Sequence, residues 1–105
     1  MSIYVGTQVV PTPGSLPALL AQGERYNRLV EQLGGKPVGG WTISLGQGQG
    51  TLALLVSYPD LAAYQAATVK GQTDSEFQKF IVDVSPLVAA MNSAVYTPAP
   101  TSALQ

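Results

Sequence analysis

Cysteine and histidine are both absent from the 105 residues. Their absence removes thiolate nucleophiles, imidazole acid–base catalysis, zinc sites built on those ligands and the usual axial ligands of haem. It also leaves no disulfide, so burial must hold the fold, and nothing calls for an oxidising compartment; we expect a cytoplasmic protein. Charge is scarce too, with 5 Lys and Arg against 6 Asp and Glu. No basic field exists to attract a phosphate backbone, so nucleic acid is not an expected partner. No apolar run approaches the roughly 20 residues of a membrane span, and Met1-Ser2 runs straight into Ile3-Tyr4-Val5 without a basic and apolar leader. We therefore expect neither membrane insertion nor processing. A chain that is 46% hydrophobic and only 10% charged has little to keep a lone monomer soluble, so part of its surface is expected to be covered by another subunit.

A chain of this length builds a single core. Ser2 to Val10 alternates, with Ile3, Val5 and Val9 on one side and Tyr4, Gly6 and Gln8 on the other, the period of a half-buried strand. Pro11, Pro13 and Gly14 end it. Ser15 then serves as an N-cap with Pro17 in the first turn, and Leu16, Leu19, Leu20, Leu29, Val30 and Leu33 fall near one helical stripe, interrupted at Gly23 and closed by Gly34-Gly35. Val38 to Leu45 and Thr51 to Tyr58 form a hairpin joined by Gly46-Gln-Gly-Gln-Gly50. Asp60 caps a helix from Leu61 to about Lys70, with a break at Gly71. From Ser75, the positions Phe77, Phe80, Ile81, Val84, Leu87 and Val88 keep a 3.6 period, and Pro86 kinks the last turn. Ala94-Val95-Tyr96 is a short strand. Thr97 to Gln105, holding Pro98 and Pro100, is a tail outside the domain of residues 1–96.

Strand, helix, strand, strand, helix in two pieces, strand is the split βαβ order of a ferredoxin-like α+β fold, βαββαβ, with one four-stranded antiparallel sheet. Right-handed crossovers put both helices on one face and leave the other bare. Strict alternation assigns Ile3, Val5, Trp41, Ile43, Leu54 and Val56 to the helix-covered face. It gives Tyr4, Gln8, Val38, Thr42, Ala53 and Leu55 to the bare one, a mixed surface suited to a second sheet. Leu33-Gly-Gly35, Gly39-Gly-Trp41-Thr42, the Leu45-Gly46 hairpin entry, Ser57-Tyr-Pro-Asp60, the Phe77/Phe80 helix and the Tyr96-x-Pro98 strand end together resemble the NIPSNAP branch of the dimeric α/β-barrel superfamily. The resemblance implies a homodimer whose two sheets close a barrel, with a cleft between sheet and helices in each subunit. It implies no set reaction, because members of the superfamily include cofactor-free oxygenases, haem enzymes and cyclases.

Gly46-x-Gly48-x-Gly50 resembles a phosphate-binding loop, but between two strands it lacks a following helix N-terminus and is read as a hairpin turn. Trp41 on its helix-facing parity, Tyr26 and Asn27 midway along the first helix, Tyr58 ending its strand and Tyr64 on the second helix present aromatic bodies with polar handles to that cleft. Such a set orients an aromatic or polyketide-like ligand; plain core or interface packing of the same rings is the alternative. Arg25 and Arg28 read as partners of Glu24 and Glu31 on a solvated face. Asp74 and Glu76 complement a helix dipole, and Asp83, the other acid weighed for proton transfer, is assigned to a solvated face. No carboxylate cluster has hard-cation spacing, so neither metal nor cofactor is expected. The expected function is that of a homodimeric, cofactor-free small-molecule-binding protein of NIPSNAP type. As an enzyme it would be a cofactor-independent oxygenase or cyclase, since a substrate acidic enough to form an enolate needs hydrogen-bond donors rather than a histidine. A non-catalytic assembly or binding module with a self-filled cleft is the second reading.

Overall fold

The computed structural model describes residues 2–46 and 50–101. Its elements are β1 (Ile3–Pro11), α1 (Leu16–Leu20), α2 (Gly23–Gln32), β2 (Lys36–Thr42), β3 (Leu52–Tyr58), α3 (Leu61–Thr73), α4 (Ser75–Val84), a 3₁₀ turn (Ser85–Leu87) and β4 (Val88–Tyr96). The strands form one antiparallel sheet in the order β2-β3-β1-β4, open at both edges, which is the ferredoxin-like α+β arrangement. Ile3, Val5 and Val56 from the sheet, Tyr58 at its end, Val30 of α2 and Ala67 of α3 make the main core cluster. No helix among the described residues is long and apolar enough to cross a membrane.

Local chemistry explains where the elements stop. Asp60 and Asp74 each accept a hydrogen bond from the backbone N–H three residues on, Ala63 at 2.8 Å and Phe77 at 2.9 Å, and so start α3 and α4. Ser15 does not cap in this way: its hydroxyl bonds that of Thr12, and the first helix divides at Ala21 and Gln22, with Gly23 opening α2. Gly71 does not break α3. It is buried against Phe77 and Leu33, and the interruption falls at Asp74, whose extended backbone separates α3 from α4. Pro86 does more than kink a helix: α4 ends at Val84, and Leu87 and Val88 leave the helical stripe, so that β4 begins six residues before the expected Ala94. Of the hairpin connection, Gln47, Gly48 and Gln49 lie outside the described residues. At its base, β2 ends at Thr42, and Ile43 closes the hairpin by bonding Thr51 and Gly50.

The register of β2 overturns one assignment that bears on the site. Pro37 pairs with Val56 on the helix-covered side, yet Gly39 pairs with Leu55, Trp41 with Ala53 and Thr42 with Leu52. The irregularity at Val38 inserts one residue, and one residue flips every later side chain to the opposite face. Trp41 therefore lies on the open face of the sheet, 56% exposed, with its ring across Gly39. Thr42 takes the helix-facing side instead.

Candidate functional site

Leu29 and Val30 of α2 are buried between the helices and the sheet, and the layer between them still leaves space. Between α2, α4 and strands β1, β3 and β4 lies a cavity of about 240 Å³. Two more adjoin it: one of about 270 Å³ beside β2, reached by Asn27, and one of about 300 Å³ under α3, reached by Tyr58 and Tyr64. Tyr26 lines all three, while Thr7, Phe77 and Ser93 line the first and third. None of the described residues lining them is charged.

Tyr26 is held by its position on α2 and by the Phe80 ring of α4, at a centroid separation of 6.1 Å. Among the described residues its hydroxyl has no hydrogen-bond partner. Burial pushes its pKa up to about 12, with Tyr58 adding a smaller push in the same direction. At neutral pH Tyr26 is therefore a neutral donor and not a base. Burial likewise raises the Tyr58 pKa, and Tyr64 meets that ring edge-on at 5.3 Å. Opposite the helices, the hydroxyls of Thr7 on β1 and Ser93 on β4 lie 2.9 Å apart, the register pairing the two residues directly.

Charge stays at the rim. Arg25 does not pair with a glutamate of its own helix. It donates to Asp83 at 2.9 Å while its guanidinium stands 5.2 Å from the centre of the Phe80 ring, tying α2 to α4. Lys79 reaches the same carboxylate at 3.1 Å. Hydrogen bonds from Arg25 and Lys79 hold the Asp83 carboxyl below its ordinary range, which removes it as a proton donor near neutrality. Among the described residues no group of three or more Asp, Glu, His or Cys is placed to hold a metal ion.

Of the five residues singled out in sequence, Tyr26, Asn27, Tyr58 and Tyr64 face these cavities, with Tyr26 as their common wall and Asn27 at the exposed end of one. Trp41 is on the other side of the sheet. Thr7, Ser93 and Phe77 were not singled out. Thr7 shares the alternation of Ile3, Val5 and Val9, so its inward position was readable, whereas Ser93 became a strand residue only through the early start of β4.

The NIPSNAP family model matches residues 11–103. Two solved NIPSNAP proteins superpose closely. One is from Agrobacterium tumefaciens, with 18% identity, TM-score 0.86 and all of both chains covered. The other is a NIPSNAP domain protein from Burkholderia xenovorans, with 20% identity, TM-score 0.83 and coverage of 97% of this chain and 98% of that one. A more distant protein from Bacteroides thetaiotaomicron, bearing the provisional name antibiotic biosynthesis monooxygenase, shares the fold at 15% identity and TM-score 0.65, over 99% of this chain and 96% of the other. No curated protein matches the sequence.

Proposed function

The chain belongs to the NIPSNAP family, and from that premise we propose that it is a homodimeric small-molecule-binding protein that holds an aromatic or polyketide-like ligand in the cleft around Tyr26 without a resident cofactor. The observation that carries this reading is an apolar cavity of about 240 Å³ walled by a tyrosine whose hydroxyl has no partner among the described residues. A concave apolar site with a few convergent polar groups is the usual form of a ligand pocket.

The second subunit would cover the open sheet face, where Trp41, Leu55 and Tyr96 lie, joining two open sheets into a barrel. The lack of cysteine fits a reducing compartment, and we place the protein in the cytoplasm. The chemistry suggested by the provisionally named monooxygenase of the same fold is oxygenation by molecular oxygen. In this cleft such a step would rest on the one hydrogen bond that the Tyr26 O–H can donate to a developing enolate oxygen, with a substrate acidic enough to lose its proton to solvent water rather than to a protein base.

Differential scanning fluorimetry against a panel of aromatic ketones and phenols tests the binding reading. A ligand that binds only the folded state raises the melting temperature in proportion to its saturation. Tyr26→Phe is expected to weaken that shift. A panel that moves neither protein at millimolar concentration would count against a ligand cleft.

A further inference from the structure

Resting on the reading of the cleft as a ligand site, we infer that Tyr26 is its specificity-determining residue: it partitions the cleft into chambers that each admit one uncharged ring, so that the ligand class is a single-ring aryl ketone. Three features carry this. The first is shape, since Tyr26 is the one residue common to all three chambers, whose volumes are about 240, 270 and 300 Å³. An apolar cavity of about 150 Å³ accepts a benzene. The first chamber therefore takes one ring with a small substituent, and three fused rings would have to cross the Tyr26 wall.

The second feature is charge. The described lining of each chamber is uncharged, and the nearby Arg25 is outside that lining and engaged by Asp83. A carboxylate entering the chamber would lose its hydration with no cation to replace it. The third is the count of donors. Thr7 and Ser93 spend one O–H on each other and leave one, and the Tyr26 O–H is unspent among the described residues. Two free donors lining one chamber match the two lone pairs of a carbonyl oxygen, which is why a ketone is favoured over a hydrocarbon.

Isothermal titration calorimetry with three probes separates these features: acetophenone (one ring, neutral), benzoate (one ring, charged) and fluorenone (three fused rings, neutral). The wild type is expected to bind acetophenone and to reject the other two. Tyr26→Phe keeps the wall, so it should still reject fluorenone while its acetophenone affinity falls roughly three- to tenfold for one lost hydrogen bond. Tyr26→Ala removes the wall and should admit fluorenone. Tyr26→Leu serves the same purpose with an aliphatic body if the alanine variant does not fold, and the wild-type contrast between acetophenone and fluorenone decides the question without either. Wild-type binding of fluorenone or benzoate as tight as that of acetophenone overturns the partition and leaves the ligand cleft standing. No binding of any probe by the wild type overturns both.

Discussion

Adjacent glycines at residues 34 and 35 do different work. Gly34 has φ +100°, the left-handed conformation that ends α2 after Leu33, and only its freedom from a Cβ makes that turn inexpensive. Gly35 has no such φ; it is buried where a Cβ would stand 2.8 to 2.9 Å from side chains of Val30, Tyr58 and Val56. Gly35→Ala is therefore expected to overpack the core and lower stability by about 1–3 kcal/mol, measured as a shift of the urea midpoint at unchanged slope. Tyr26 offers a test at the same scale, with pH as the variable. Its pKa is 10.0 in an open chain and about 12 in the folded protein, so the native state holds the phenolic proton more tightly. The resulting stability is complete below pH 10 and is lost as pH rises through about 12. Urea midpoints between pH 10 and 12 should fall less steeply for Tyr26→Phe than for the wild type, with a residual slope from Tyr58, whose pKa is raised in the same direction. Equal slopes would mean that the Tyr26 hydroxyl sits in water.

At the scale of elements, α4 carries the most testable packing. Phe80 is 8% exposed and contacts Tyr26 and Arg25, whereas Ile81, assigned by periodicity to the same stripe, is 41% exposed and borders the cavity. Phe80→Ala should cost about 3–5 kcal/mol by lost burial and the void it leaves, and a urea midpoint equivalent to less than about 1 kcal/mol would contradict that packing. Asp83 links α4 to α2 through Arg25. Its carboxyl is held below the ordinary 3.8, so the folded state favours the ionised form, and that contribution is present above pH 4 and lost as pH falls through the lowered value. Asp83→Asn should flatten the acid limb of a urea-midpoint profile taken from pH 5 to 2. Helices were legible where an aspartate caps and apolar residues recur, as at Asp60 and from Phe77 to Val84. The end of α4 was not, because Val84, Leu87 and Val88 fit a helical spacing as well as the passage into a strand, and Pro86 decides between them. Tyr26, Asn27, Tyr58 and Tyr64 were placed in sequence by the elements that carry them, and the structure puts all four beside the cavities, but no local signal in Pro37-Val-Gly39 marks the extra residue that turns Trp41 to the other face.

For the whole molecule, the open sheet face is the unmatched surface. Tyr96 lies across Gly6 and Trp41 across Gly39, while Leu55, Ala53 and Ala94 occupy the pairs between them, and Lys36 at the end of β2 is the charged residue the register places there. Two glycines that accept flat rings from neighbouring positions make this face low in relief, which suits it to a second sheet and ill suits it to water. On the proposed dimer, Leu55 sits near the centre of the contact. Leu55→Lys would place an ammonium there with no carboxylate to meet it, and an unpaired buried charge costs several kcal/mol. Sedimentation velocity at micromolar concentration should give a dimer for the wild type and a monomer for Leu55→Lys. Trp41 reports the same event independently, because it is 56% exposed in one subunit alone. Its emission should be blue-shifted in the wild type, move to the red on dilution or in Leu55→Lys, and ignore any ligand in the cleft on the far side of the sheet. A wild type that sediments as a monomer with water-exposed Trp41 emission would remove the dimer and leave the cleft, which lies within a single chain, untouched.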